Sequence, residues 1–185
     1  LQYGALTLEF SPTAFAQTRH DMAEAMVETL GTLLPERCEH LVDLYAGAGL
    51  LGLAHRARAE RVTLIESHPE AAADAKHNAR RLDASHVEVI AEDASTAGPR
   101  VLRGGADAII LDPPRSGCSP ALLDAICALK GALTVVYASC EARSLGRDLA
   151  KLHAAGFVLN DVALFDMFPH TPHVEVAVAL TRDMT

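Results

Sequence analysis

The sequence predicts an α/β fold built on a doubly wound, mostly parallel sheet of seven strands, with the last strand antiparallel. Short apolar runs alternate along the chain with segments of helical periodicity, which is typical of βαβ units. A glycine-rich turn joins the first buried run to a helix, as in nucleotide-binding sheets. Only residues 166–173, rich in Pro and His, separate the last two runs, so one of these strands is expected to be antiparallel.

The individual elements follow from the spacing of apolar residues. Alternation at 6–10 predicts a strand, and a stripe containing Met22, Met26 and Leu30 predicts a helix over 13–34. Buried strands are predicted at 41–45, 62–66, 87–91, 108–111 and 133–138, with helices between them at 50–58, 69–82, 94–103, 120–129 and 144–155. The final strands are predicted at 157–165 and 174–180. No linker or repeat divides the chain, so residues 1–185 are predicted to form a single domain.

Composition excludes several classes of protein. Half of the 185 residues are hydrophobic, but no apolar run approaches the roughly 20 residues that span a bilayer. No secretory signal opens the chain, so we expect a soluble, cytoplasmic protein with no membrane partner. The cysteines, at 38, 118, 127 and 140, lack metal-ligand spacing, and we expect neither disulfides nor a metal site. We expect a monomer.

The charge balance bears on the partner. With 24 acidic and 16 basic residues, the net charge is −8. Phosphate contacts supply most non-specific affinity for nucleic acids, so an acidic chain is a poor nucleic-acid binder by itself. The chain also begins at Leu1 rather than methionine. We therefore expect a fragment of a longer protein. Either the partner is not a polyanion, or the basic surface is local or lies on sequence outside these residues.

The glycine-rich turn is the candidate nucleotide site. Gly47 and Gly49 allow the backbone to turn tightly and approach a ligand. Glu66 lies 19 residues after Gly47, where a carboxylate can accept from two ribose hydroxyls, and Asp93 ends the next strand, where an adenine amino group could be bound. Alternatively, both acids only cap the helices that follow. Because Gly52 completes a G-x-G-x-x-G spacing, a dinucleotide cofactor stays open from this turn alone.

Two later segments are candidates for the chemistry. Cys140 closes the apolar run 133–138, and a thiol at the carboxyl end of a parallel strand is a candidate nucleophile. The box Asp112-Pro113-Pro114-Arg115 ends the preceding strand. Successive prolines fix φ and remove two backbone donors, so this box is stiff and could hold a flat base or the reacting end of a cofactor. The alternative is a loop that merely leaves the sheet.

Taken in order, these motifs resemble the RNA 5-methyluridine methyltransferase family. The resemblance rests on Phe15-Ala16-Gln17, the box at 112–115, Ser139-Cys140 and the run 168–175, and it covers essentially all of the chain. It implies a Rossmann-like catalytic domain, S-adenosylmethionine as cofactor, and an amino-terminal RNA-binding domain missing from this sequence. By the family's pattern the cofactor contacts Gln17, Tyr45, Gly47, Gly49, Glu66, Asp93 and Asp112, and the target base contacts Asp112, Pro113, Pro114 and Arg115.

The resemblance also implies a reaction, methyl transfer to C5 of a uridine in tRNA or rRNA. C5 of uracil is a poor nucleophile, and attack by a thiolate at C6 turns the ring into an enolate whose C5 can take the methyl group. The family's pattern assigns Cys140 as this nucleophile and Glu175 as the base that removes the C5 proton. The target must leave its stack, so a uridine in a single-stranded loop is the expected substrate.

Two positions depart from the family. Arg19 stands where the family has Asn, and Glu141-Ala142 follows Cys140 in place of Asn-Pro. If Glu141 faced inward, it would raise the pKa of the thiol. Other functions stay open: an RNA 5-methylcytidine methyltransferase, an amino-group methyltransferase, a catalytically impaired module that binds S-adenosylmethionine or RNA, and an NAD enzyme. The two other methyltransferases fit less well, because Arg115 replaces the Cys or aromatic residue they carry after Pro.

Overall fold

The computed structural model describes residues 1–12, 19–167, 170–171 and 174–183. Its strands are β1 (Gln2–Tyr3), β2 (Leu6–Thr7), β3 (Cys38–Leu44), β4 (Ala59–Ile65), β5 (Val87–Ile90), β6 (Ala108–Leu111), β7 (Leu133–Ser139), β8 (Val158–Phe165) and β9 (Glu175–Arg182). Its α-helices are α1 (His20–Leu33), α2 (Leu50–His55), α3 (Pro69–Arg81), α4 (Ala94–Leu102), α5 (Pro120–Ala128) and α6 (Ala142–Ala154), and a 3₁₀ turn at Arg56–Arg58 follows α2.

Seven of these strands form one sheet, in the order β5-β4-β3-β6-β7-β9-β8. The strands from β5 to β7 pair in parallel, whereas β9 is antiparallel to both of its neighbours. The last strand is therefore inserted between β7 and β8, and β8 forms an edge. This topology confirms the predicted doubly wound sheet with an antiparallel last strand.

Helices cover both faces of this sheet. On one face, α1 contributes Met26 and Leu30 to an apolar cluster that also contains residues of α2 and α3. On the other face, α4, α5 and α6 bury a second cluster that includes Leu122 and Leu152. In the part of the chain that the structure describes, no helix is both long and apolar enough to cross a membrane.

The amino-terminal boundaries differ from the predicted ones. The strand predicted at 6–10 is only the two-residue β2, which pairs with β1 in a separate hairpin. It ends early because the Glu9 backbone bonds to the side chain of Asn78 instead of to another strand. The helix predicted over 13–34 begins at His20, since Arg19 has an extended backbone (φ −113°, ψ 109°). Residues 13–18 lie outside the described part of the chain.

Strand register brings the candidate residues to one edge of the sheet. Four of the parallel strands end level with one another, at Leu44, Ile65, Ile90 and Leu111, and β7 continues two residues past this level, to Ser139. Because β9 runs the opposite way, its first residue, Glu175, lies at this same edge. Ser139 pairs with Val176, so the next position on each strand places Cys140 beside Glu175.

Candidate active site

The glycine-rich turn between β3 and α2 has a left-handed backbone at three positions. The φ angle is 69° at Tyr45, 55° at Gly47 and 91° at Gly49. Glycine adopts this region readily, whereas a residue with a Cβ is strained there by about 1–2 kcal/mol. A Cβ at Gly47 would meet no atom within 4 Å. The turn therefore presents backbone and open space at the edge of the sheet, as a ligand-binding turn requires.

Glu66, just past the end of β4, is hydrogen-bonded to this turn. The Gly47 N–H donates to Oε2 of Glu66 (2.8 Å), and the His68 N–H donates to Oε1 (2.6 Å). The first bond places the carboxylate against the glycine turn. The second lies just before α3, whose N-cap is His68 and has no side-chain capping bond, so Glu66 does not itself cap that helix. A contact between Glu66 and the cofactor stays a prediction.

Asp93 likewise has a structural contact and a position at a cavity. It is the N-cap of α4, where its Oδ1 accepts a hydrogen bond from the Ser95 N–H (2.7 Å). It also lines, with Tyr45 and Pro114, a cavity of about 620 Å³ on the α4–α5–α6 side of the sheet. Cavities of this volume hold drug-sized ligands. Capping by Asp93 therefore does not remove it from a candidate ligand site.

Asp43, on β3 just before the glycine turn, is a candidate site residue that the sequence analysis did not identify. Its Oδ2 accepts from the Gly52 N–H (2.8 Å), whereas Oδ1 is buried without a hydrogen-bond partner among the described residues. Burial, with the nearby Asp112 and Glu66 carboxylates, raises the pKa of Asp43 to about 8. A buried, unpartnered carboxyl oxygen under a glycine turn suits a cationic ligand. The only sequence signal was one acid inside an otherwise apolar strand.

Gly52 is required by packing. A Cβ at this position would lie 2.4 Å from Cδ2 of Leu64 and 2.8 Å from Oδ2 of Asp43. Only glycine lets α2 lie this close to β3 and β4. The third glycine of the spacing is thus explained by helix–strand contact, without a dinucleotide.

Asn78 is a second residue that the sequence analysis did not identify. It is fully buried on α3, and its side-chain amide donates to the carbonyl oxygens of Ala48 (3.2 Å) and Glu9 (2.9 Å). Its Oδ1 accepts from the Glu9 N–H (2.8 Å). One amide therefore joins the glycine turn to the amino-terminal segment 8–12. A single Asn in a helical stripe gave no sequence signal for this.

Cys140 lies beside Glu175 at the edge of the sheet, and Arg115 also lies near the Cys140 thiol. Burial and the Glu175 carboxylate raise the pKa of the Cys140 thiol, whereas a hydrogen bond from Arg115 and its positive charge lower it. Cys140 is partly exposed. The carboxyl group of Glu175 and the guanidinium of Arg115 therefore have opposite effects on the pKa of the thiol.

Two carboxyl groups beside the thiol have raised pKa values. Burial and the Asp112 carboxylate raise the pKa of Glu175 to about 8, and its Oε1 has no hydrogen-bond partner among the described residues. Burial raises the pKa of Asp112 to about 7, although part of its surface stays accessible. Perturbed carboxyl groups at the end of a sheet are typical of acid–base sites.

The two departures from the family take part in local contacts. Glu141 is the N-cap of α6, and its carboxylate accepts from the Arg143 N–H (3.2 Å). It is thus directed to the helix and does not contribute to the pKa shift of Cys140. Arg19 pairs with Asp21 and donates to the Asp166 carbonyl oxygen (3.1 Å).

Some predictions remain without a structural counterpart. Gln17, predicted to contact the cofactor, lies outside the described residues. Among the described residues, no group of three or more His, Cys, Asp or Glu side chains could hold a metal ion.

Comparisons with known proteins identify the family of the chain. The model of a family described as tRNA (uracil-5-)-methyltransferase matches residues 3–183. A 23S rRNA (uracil(1939)-C(5))-methyltransferase of Chromohalobacter salexigens is 38% identical over 179 residues, covering 96% of this chain and 37% of the relative. An uncharacterized RNA methyltransferase of Bacillus cereus is 35% identical over 182 residues, covering 97% of this chain and 39% of the relative.

A solved structure is also similar to this chain over nearly all of its length. The crystal structure of Pyrococcus abyssi tRNA (uracil-54, C5)-methyltransferase in complex with S-adenosyl-L-homocysteine matches with a TM-score of 0.82 and 27% identity. The match covers 97% of this chain and 43% of that one. The chain therefore spans about two fifths of the length of the proteins it resembles.

Proposed function

This chain belongs to the tRNA (uracil-5-)-methyltransferase family, and from that premise we propose that it carries the catalytic site for methyl transfer from S-adenosylmethionine to C5 of a uridine in RNA. The observation that supports this most is the meeting of Cys140, Glu175 and Asp112 at one sheet edge. The glycine turn lies at the same edge. A thiol, a carboxyl base and a cofactor turn are the parts this reaction needs.

The residues present fit the cofactor. S-adenosylmethionine supplies, when bound, an electrophilic methyl group on a positively charged sulfur, and it also carries an ammonium group. Asp43 offers an unpartnered buried oxygen, and Asp112 is a second, partly buried acid nearby. Gly47 leaves open space over the turn, and Glu66 is fixed beside it. We assign Tyr45, Gly49, Asp93 and Gln17 to the same site on the family's pattern.

We propose that the Cys140 thiolate forms a bond to C6 of the uracil ring, which leaves C5 as a nucleophilic enolate carbon. C5 would then take the methyl group, and the electrons of the broken S–CH3 bond would stay on the sulfur of the departing S-adenosylhomocysteine. Glu175 then removes the proton from C5. The electrons of that C–H bond restore the C5–C6 double bond and expel the Cys140 thiolate. Asp112, Pro113, Pro114 and Arg115 hold the base while this happens.

The substrate and setting are proposals of the same kind. We propose a uridine in a single-stranded loop of tRNA or rRNA, since the ring must leave its stack to reach Cys140. We further propose that residues 1–185 form one catalytic domain that acts as a cytoplasmic monomer. The RNA-binding domain predicted from the resemblance would supply much of the affinity that a net charge of −8 does not favour.

Covalent trapping tests this function. Full-length protein is incubated with S-adenosylmethionine and RNA bearing 5-fluorouridine, and the product is resolved by denaturing electrophoresis. Fluorine cannot leave C5 as a proton, so a C5 methyltransferase stays joined to the RNA through its cysteine. We expect an adduct that Cys140→Ala abolishes and Cys127→Ala, a partly buried thiol on α5, leaves intact. No adduct with any cellular RNA pool would refute the proposal and favour an impaired binding module.

The base is tested with normal uridine. Glu175→Gln keeps the size of the side chain but cannot accept the C5 proton. We expect this variant to accumulate the methylated adduct and to turn over slowly, with a rate lower by about 10²–10⁴-fold. The exposed Glu92→Gln is a matched control and is expected to turn over normally. Rapid turnover by Glu175→Gln would show that another group takes the proton.

A further inference from the structure

Asp148 is a buried carboxylate on α6 that the proposed reaction does not use. Its side chain is fully buried. The Tyr137 hydroxyl donates to its Oδ2 (2.7 Å), and so does the Cys118 N–H (2.8 Å). The Arg147 Nε donates to its Oδ1 (2.8 Å). Buried charge with this many donors is held in one position, because leaving any of them unpaired is costly.

These bonds fix the Pro-Pro loop, which we define as residues 112–119. Arg147, held by Asp148, also donates from Nη2 to the Ser116 carbonyl oxygen (2.8 Å). Gly117 has φ +77°, and a Cβ there would lie 2.6 Å from Oδ2 of Asp148. Two backbone groups of the loop, the Ser116 carbonyl and the Cys118 N–H, are therefore attached to α6, and Gly117 between them allows the close approach.

The same carboxylate connects the loop to the nucleophile. Tyr137 lies on β7, three residues before Cys140, and α6 begins at Ala142, two residues after it. Asp148 thus joins the strand before the thiol, the helix after it and the loop that carries Arg115. We propose, on the basis of the function proposed above, that Asp148 is a positioning residue that holds Arg115 against the Cys140 thiol.

The chemical consequence is a change in how easily the thiol ionises. Two ionisable groups face it, Glu175 from β9, which becomes negatively charged as pH rises through about 8, and the positively charged Arg115 from the Pro-Pro loop. Glu175 opposes ionisation and Arg115 favours it. If the loop is released, Arg115 moves away while Glu175 stays on its strand. Cys140 should then form a thiolate only at higher pH, and thiolate is the reactive form.

Alkylation of Cys140 tests this without RNA or cofactor. Full-length Asp148→Asn is treated with iodoacetamide across pH 6 to 10, and the rate at Cys140 is followed by peptide-resolved mass spectrometry. We expect the apparent pKa of Cys140 to rise by about one unit, so that its rate at pH 7 falls about tenfold. Tyr137→Phe keeps the carboxylate and removes one donor, and we expect a smaller shift in the same direction. It carries the test if Asp148→Asn does not fold.

Asp124→Asn is the matched control. Asp124 is exposed on α5 and pairs with Lys151 (2.6 Å), which lies on α6, the helix that also carries Asp148. This ion pair does not involve the Pro-Pro loop. We expect its alkylation profile to equal that of the wild type. A folded Asp148→Asn or Tyr137→Phe with a lower Tm but an unchanged profile would mean a merely structural role and overturn the inference. Failure of the uridine chemistry would appear instead as absent trapping with a normal wild-type alkylation profile.

Discussion

Binding of S-adenosylmethionine is expected to strengthen as pH rises from 6 to 8. Three carboxyl groups meet at the site with raised pKa values: about 7 for Asp112 and about 8 for Asp43 and Glu175. A cofactor with a sulfonium and an ammonium group favours their ionised forms, since an opposite charge nearby lowers a carboxyl pKa. Binding should therefore release protons, and the Kd should depend on pH.

The size of the effect follows from Asp112 alone. At pH 6 a carboxyl group with a pKa of about 7 is ionised in about one molecule in ten, and at pH 8 in about nine in ten. If the cofactor binds only the ionised form, its Kd is about tenfold higher at pH 6, or about 1.4 kcal/mol. Ionisation of Asp43 or Glu175 on binding would add to this, so the change in Kd exceeds tenfold if either of these groups also ionises.

Isothermal titration calorimetry in buffers of different ionisation enthalpy measures both the Kd and the protons released. S-adenosylhomocysteine shares the ammonium group but has a neutral sulfur, so its Kd should change less with pH. Asp112→Asn should reduce the pH dependence, while Glu92→Gln, an exposed acid paired with Arg100, should keep it. A Kd for S-adenosylmethionine that is constant or lower at pH 6 would refute this reasoning, and so would equal slopes for the two ligands.

Three substitutions test the architecture around the site, each measured by urea denaturation with one functional assay. Gly52→Ala should lower the free energy of unfolding by about 1–3 kcal/mol, because its Cβ would lie 2.4 Å from Cδ2 of Leu64; an unchanged value would mean that α2 can shift. Asn78→Ala removes three hydrogen bonds of a buried side chain, so it should lower the free energy of unfolding by about 3 kcal/mol and weaken cofactor binding. Unaltered binding would mean that Asn78 does not support the cofactor-binding role of the glycine turn. Glu141→Ala loses an N-cap worth about 1 kcal/mol and should leave the alkylation profile of Cys140 unchanged; a lower apparent pKa would show that Glu141 faces the thiol.

Strand positions were predictable because buried parallel strands are short apolar runs between turn residues. The bounds of β6 agree fully with the predicted ones, 108–111. The candidate site residues that follow the strands lie at the edge of the sheet where the parallel strands end. The amino-terminal strand was overestimated, since Glu9 bonds to a side chain 69 residues away. No local pattern encodes such a partner. For the same reason Asn78 and Asp148 were missed: each acts through backbone groups that are distant in sequence.

The raised pKa values also connect the cofactor to the fold. A carboxyl group with a higher pKa in the folded state binds its proton more tightly there, so it stabilises the fold at low pH. That contribution is present below the unfolded pKa of about 4 and is lost as pH rises through about 7 to 8, where Asp112, Asp43 and Glu175 ionise. Without cofactor, the Tm should therefore fall across this range. The positive charges of S-adenosylmethionine stabilise the ionised forms of these three carboxyl groups and so offset the cost of ionising them. Saturating cofactor should therefore raise the Tm more at pH 8 than at pH 6. Since Glu175 must be ionised to accept a proton, the ligand that restores stability at pH 8 also prepares the base.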